Sequence, residues 1–159
     1  YELLKKKQAS YHLPYAEGKE KGSLLKKIEG KKIIVGKNRY GWKEVQFAKE
    51  GKELQMTIVK DDNTSYTQSL GYRNWITDEI AGFPPYSINP IGWEKGLEGP
   101  FYCAGSYGWE KNRLNVELHY VNWVTSLHMS WKVSGNEVIL DISNNYLKNK
   151  VETIKCILE

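Results

Sequence analysis

A chain of 159 residues with 40 % hydrophobic and 26 % charged residues is long enough for one domain with a buried core and too apolar for wholesale disorder. Its formal charge of +4 is small, and its lysines are interleaved with Glu17, Glu20 and Glu29, which excludes the strongly basic face of a nucleic-acid binder. The sequence has no apolar run long enough to span a bilayer as a helix.

The amino end, Tyr1 to Ala9, reads as a short helical tail carrying Leu3, Leu4 and three lysines. It is broken at His12-Leu13-Pro14-Tyr15, because a proline disfavours helix in the residue before it. Ala16 to Lys27 is charged and contains glycine, as a linker does, so residues 1–27 form a tail and linker and the folded domain occupies 28–159.

Within that linker Ser23-Leu24-Leu25-Lys26 matches the SxxK pattern of penicillin-recognising enzymes, and Tyr72-Arg73-Asn74 resembles their Tyr-x-Asn element. That chemistry needs a serine at the start of a buried helix, with its lysine one turn later to take the proton. Here the serine follows a glycine-lysine linker and no KTG follows, so no catalytic residue is expected.

From Ile28 onward the pattern is β. Strands are expected over Lys31 to Val35, Trp42 to Ala48, Glu53 to Lys60 and Thr64 to Leu70, each bounded by Gly, Asp or Asn. Tyr72 to Gly99 has no clean period. It holds three prolines and the aromatics Trp75, Phe83, Tyr86 and Trp93, as a binding loop or an interface would.

The second half returns to alternation. Small residues precede Trp109, and strands follow at Arg113 to Asn122, Thr125 to Val133, Glu137 to Ser143 and Val151 to Leu158. Eight or nine short antiparallel strands joined by tight turns predict an all-β, lipocalin-like barrel or barrel-like sandwich, with a short N-terminal helix. If Trp123-Val124 is the turn, Tyr120 faces Leu127, Leu118 faces Met129, Val116 faces Trp131 and Leu114 faces Val133. That register buries the apolar residues and leaves Glu117, His119 and His128 on the polar face.

Aromatics make up 13 % of the chain, and Trp75, Phe83, Tyr86, Trp93, Trp109 and Trp123 form the candidate set for a ligand or interdomain contact. The expected register places His119 opposite His128, with Glu117 as a third donor, but a stable metal site needs more ligands than that, and none is expected. Cys103 and Cys156 lack CxxC spacing and lie in apolar strands, as free buried thiols do. No cofactor motif is present.

The order "LPYAEGKEKGSLLKKIEGKKI", a strand meander, then "CAGSYGWEKNRLNVELHYVNWVTSLHMSWKVSGNEVILDI" resembles the C-terminal domain of bacterial β-lactamase-related, penicillin-binding-protein-like serine hydrolases. The shared features are Leu13-Pro14, Gly30-Lys31, the small residues Ala104 to Trp109, the strand Leu114 to Trp123 and the turn Gly135-Asn136. Ile33 stands where that family carries an aromatic, and the loop around Pro84-Pro85 has no counterpart. The resemblance implies a non-catalytic accessory β-barrel whose partner is a serine-hydrolase catalytic domain in the same parent chain. It implies a bacterial, extracytoplasmic setting and makes Tyr1 to Ser10 the end of the preceding domain. The alternative reading is a free-standing lipocalin-like binder of a small hydrophobic or peptide-like ligand.

Overall fold

The structure is a computed structural model that describes residues 1–10, 13–82, 84, 99–145 and 150–159. Two helices, α1 (Glu2–Ser10) and α2 (Leu25–Ile28), precede β1 (Lys32–Val35), β2 (Trp42–Glu50), β3 (Glu53–Lys60) and β4 (Ser65–Tyr72). The remaining strands are β5 (Ile76–Ile80), β6 (Phe101–Glu110), β7 (Arg113–Tyr120), β8 (Ser126–Ser134), β9 (Glu137–Asn144) and β10 (Glu152–Leu158). The all-β, lipocalin-like expectation therefore holds, and nine of these strands close into a barrel.

Closure occurs at two places. The first strand pairs with the last, Ile34 opposite Ile157, and β4 pairs with β6 through Gly71–Ser106 and Tyr72–Tyr107. The β4–β6 pairing is parallel, so the barrel is mixed rather than wholly antiparallel as the alternation suggested. Strand β5 takes the lower edge of β6, with Thr77 opposite Ala104, and wedges against β4. In place of a ladder there, Asp78 Oδ2 accepts the Ser69 N–H at 2.5 Å and Gln68 Nε2 donates to Ile76 O at 3.2 Å.

Alternation does what the sequence predicted for the core. Leu54, Met56 and Ile58 on β3, and Leu114, Val116 and Leu118 on β7, point inward and are buried. The β7–β8 register differs from the expected one by two residues: Leu118 faces Leu127, Val116 faces Met129 and Leu114 faces Trp131. Tyr120 N–H instead donates to Thr125 O across a longer turn. Trp-Val is a poor two-residue turn, and a shift of two conserves which face each side chain takes.

The segment read as linker is part of the barrel wall. Lys19 and Trp109 exchange backbone hydrogen bonds at 2.8 Å each way, and Ala16 N–H donates to Ser106 Oγ at 2.7 Å. Leu24 and Ile28 then enter the core cluster, so α2 plugs one end of the barrel. Beside them Trp109, Trp131 and Phe47 fill that half, with Phe47 edge-on to Trp131 at 5.4 Å. The small residues before Trp109 are architectural: a Cβ at Gly105 would meet Leu70 Cδ2 at 2.5 Å, and one at Gly108 would strike the Glu17 backbone.

Candidate ligand-binding site

With one end plugged, the other end is the mouth. The strand ends Val35 and Trp42, Lys60 and Ser65, Ile80 and Phe101, Tyr120 and Ser126, and Asn144 and Glu152 all lie there, as strand direction in a barrel requires. Inside the mouth the alternation of β4, β6 and β7 brings Tyr66, Cys103 and Tyr120 together, with Cys103 directly opposite Tyr120 in the ladder. Tyr40 stands on the β1–β2 connection, where Asn38 holds the backbone N–H groups of Tyr40 and Trp42. Its ring packs on Trp42 at 5.4 Å.

These are polar groups in an apolar enclosure. Burial raises the pKa of the Tyr66, Tyr120 and Tyr40 phenols, and it raises that of the Cys103 thiol, with Asp78 adding to the last effect. All four therefore stay neutral near pH 7, and Cys103 is a poor nucleophile, since thiol reactivity needs the thiolate. Gln68 is fully buried, yet its Oε1 has no hydrogen-bond partner among the described residues, and the same is true of Trp42 Nε1. A buried polar atom left unpaired costs about 1–3 kcal/mol, so an acceptor and a donor kept unpaired in the mouth half of the barrel mark a place that can recognise a ligand. At the rim, Lys60 Nζ donates to Ala81 O at 2.9 Å, and Trp123 packs edge-on against Phe101 at 5.6 Å.

The six expected aromatics are not one cluster. Trp123 is at the mouth. Trp109 is buried at the plugged end, 6.5 Å from the Tyr107 ring. Trp75 lies on the outer wall between Tyr15, at 5.6 Å, and His119, at 4.9 Å, with Nε1 donating to Leu13 O at 3.3 Å. Phe83, Tyr86 and Trp93 lie outside the described residues. The mouth residues Tyr40, Tyr66, Gln68 and Tyr120 escaped sequence reasoning, because a tyrosine or glutamine in register on a strand looks like sheet filling. The legible signal was Gln68 itself, a polar residue at a core position of an alternating strand.

The expected histidine pairing also shifts. Glu117, not His119, faces His128 across the β7–β8 ladder, and His128 Nδ1–H donates to Glu117 Oε1 at 2.6 Å. The carboxylate hydrogen bond raises the pKa of His128, whereas burial beside Trp75 lowers that of His119. Among the described residues no group of three or more His, Cys, Asp or Glu side chains can hold a metal ion. Ser23 and Lys26 are both exposed, Ser23 in the turn that leads into α2 and Lys26 within α2. Cys103 and Cys156 are both free and buried.

No protein-family model matches the chain, and no curated protein matches it. Among solved structures, the chain is similar to the crystal structure of a secretary abundant heat soluble (SAHS) protein from Ramazzottius varieornatus, with a TM-score of 0.53 and 16 % identity. The alignment covers 92 % of this chain and 98 % of the other. At that identity the likeness shows the fold, a β-barrel, on its own.

Proposed function

We propose that the chain is a non-catalytic β-barrel binder that takes a small, mainly apolar ligand at its mouth. The observation that carries this reading is that Gln68 Oε1 and Trp42 Nε1, two of the buried polar atoms left unpartnered among the described residues, lie toward the end of the barrel opposite the plug. The similarity to the SAHS barrel supports the architecture such a binder uses. The ligand sits shallow, since Trp131, Phe47 and Tyr107 already fill the deeper half. It presents one donor to Gln68 and one acceptor to Trp42, and stacks its apolar body on Trp123 and Phe101.

The test is a fluorescence titration of the whole chain with N-phenylnaphthylamine, a neutral apolar probe. Saturable enhancement that weakens in Trp123→Phe supports the mouth as the site. A response that never saturates, or that is unchanged in the variant, overturns it.

A second reading rests on a different observation. Tyr1, Leu3 and Leu4 of the amino-terminal region are 88 %, 85 % and 56 % exposed, so this apolar surface is free to pack on another domain. That favours an accessory role beside a β-lactamase-related serine-hydrolase domain of the same parent chain. Sequencing the surrounding reading frame tests it: an upstream segment with a helix-borne SxxK and a later KTG is expected, and a frame without them refutes it. On both readings the chain itself hydrolyses neither β-lactams nor esters, and turnover that disappears in Ser23→Ala would contradict both.

A further inference from the structure

The plugged end of the barrel carries a second concave surface, remote from the mouth. A cleft of about 820 Å³ separates the segment Gly18–Ser23 from the β6–β7 turn. Lys19 and Lys21 line one wall, and Lys111 and Arg113 line the other. Glu110 is the one acidic residue lining it among the described residues.

The cations are unspent. Elsewhere on the barrel Lys32 pairs with Glu44, Lys132 with Asp141 and Arg39 with Glu152, and Lys43, Lys49 and Lys60 donate to neighbouring oxygens. Among the described residues, Lys19, Lys21, Lys111 and Arg113 are in none of the ion pairs. Like charges gathered on facing walls repel one another, and an anion between them relieves that repulsion.

The backbone holds the two walls at this separation. Gly18 has φ +132°, and a Cβ there would lie 2.6 Å from the Gly108 carbonyl carbon and the Trp109 nitrogen. A Cβ at Gly22 would lie 2.7 Å from the Trp109 side chain. Glycine at both positions lets the strap lie flat on β6, and the paired Lys19–Trp109 backbone bonds fix it there. The walls are thus set by the fold rather than by lysine side chains drifting together. Ser23 and Asn112, also in the lining, add neutral hydrogen-bonding groups.

We infer that this cleft binds a ligand carrying at least two phosphate or sulfate groups, one against each basic wall. A single carboxylate would engage one wall and leave the other uncompensated. Arg113 offers a planar fork suited to phosphate, and the lysines act as point charges.

Inorganic pyrophosphate is the probe, titrated into the isotopically labelled whole chain at an ionic strength of about 0.01 M, where screening is weak. Saturable amide shifts confined to residues 18–23 and 110–113 are expected, with affinity falling as salt is raised. The double variant Lys21→Gln, Arg113→Gln should bind about tenfold more weakly, which corresponds to about 1.4 kcal/mol. Lys52→Gln, an exposed lysine on the β2–β3 turn, should bind like the parent. A parallel arm uses phosphatidylcholine vesicles containing cardiolipin, whose headgroup carries two phosphates: co-sedimentation lost in the double variant assigns the same cleft to a lipid headgroup. Shifts scattered over lysines elsewhere, or neither arm responding to the double variant, overturn the inference. Unchanged far-ultraviolet circular dichroism of the variants separates lost binding from lost folding. Because the mouth lies at the other end, failure here leaves the apolar-ligand reading untouched.

Discussion

Tyr66 and Tyr120 are phenols the fold keeps protonated. Their pKa values are raised by burial in the folded state, so the unfolded chain releases protons first as pH climbs, and stability declines above about pH 10. Tyr120→Phe removes one such group, and its denaturation midpoint should fall less steeply between neutral and strongly alkaline solution than that of the parent. The two histidines behave in opposite senses. His128 gains a carboxylate partner, so its stabilising contribution is present below about pH 6.5 and is lost as pH rises through its raised folded value. His119 is favoured neutral by burial, so its contribution is lost as pH falls. Nuclear magnetic resonance titration should show His128 protonating at higher pH than His119, and Glu117→Gln should narrow the gap. Equal midpoints in the parent would contradict the assigned environments.

At the scale of elements, the strap from Leu13 to Ile28 decides how the barrel is finished. It covers Ser106 and Gly108, pairs with Trp109 and ends in the plug. Gly22→Ala forces a methyl group against the Trp109 side chain and should destabilise the chain by about 1–3 kcal/mol, as overpacking does, measured by urea denaturation. Gly51→Ala has open space around its Cβ but sits at φ +58°, so it should lose stability through backbone strain without disturbing the plug. Most strands were legible to within a residue or two, because alternation such as Leu54-Met56-Ile58 and turns such as Glu50-Gly51-Lys52 report local geometry directly. Strand β5 was not, since Ile76 to Ile80 is short and its partner is set by β6, far along the chain. The strap was misread as a linker for a similar reason: its lysines and glycines look solvated until Trp109 supplies the surface they lie on. The shifted β7–β8 register shows the limit from the other side, because both registers bury the same face and only the turn tells them apart.

The whole molecule is a barrel sealed by α2 at one end and carrying polar groups inside the other. That division was not readable in advance. A buried tyrosine and a sheet-filling tyrosine have the same sequence pattern, and Tyr40, Tyr66 and Tyr120 converge through closure of the wall rather than through proximity in the chain. The aromatic count merged Trp75, Trp109 and Trp123, which the fold sends to three different places. Gln68→Leu, which replaces the unpartnered acceptor with an apolar side chain but also removes bonds across the β4–β5 seam, should lower affinity for ligands bearing a donor more than for purely apolar ones, as read by competition against N-phenylnaphthylamine. The most direct measurement is an amide-shift map of the labelled chain saturated with that probe. Binding at the mouth predicts changes centred on Tyr40, Tyr66, Cys103, Tyr120 and Trp123, with Leu24, Ile28 and Trp109 unmoved; changes centred instead on the outer wall around Trp75 and His119, or no saturable change at all, would contradict it.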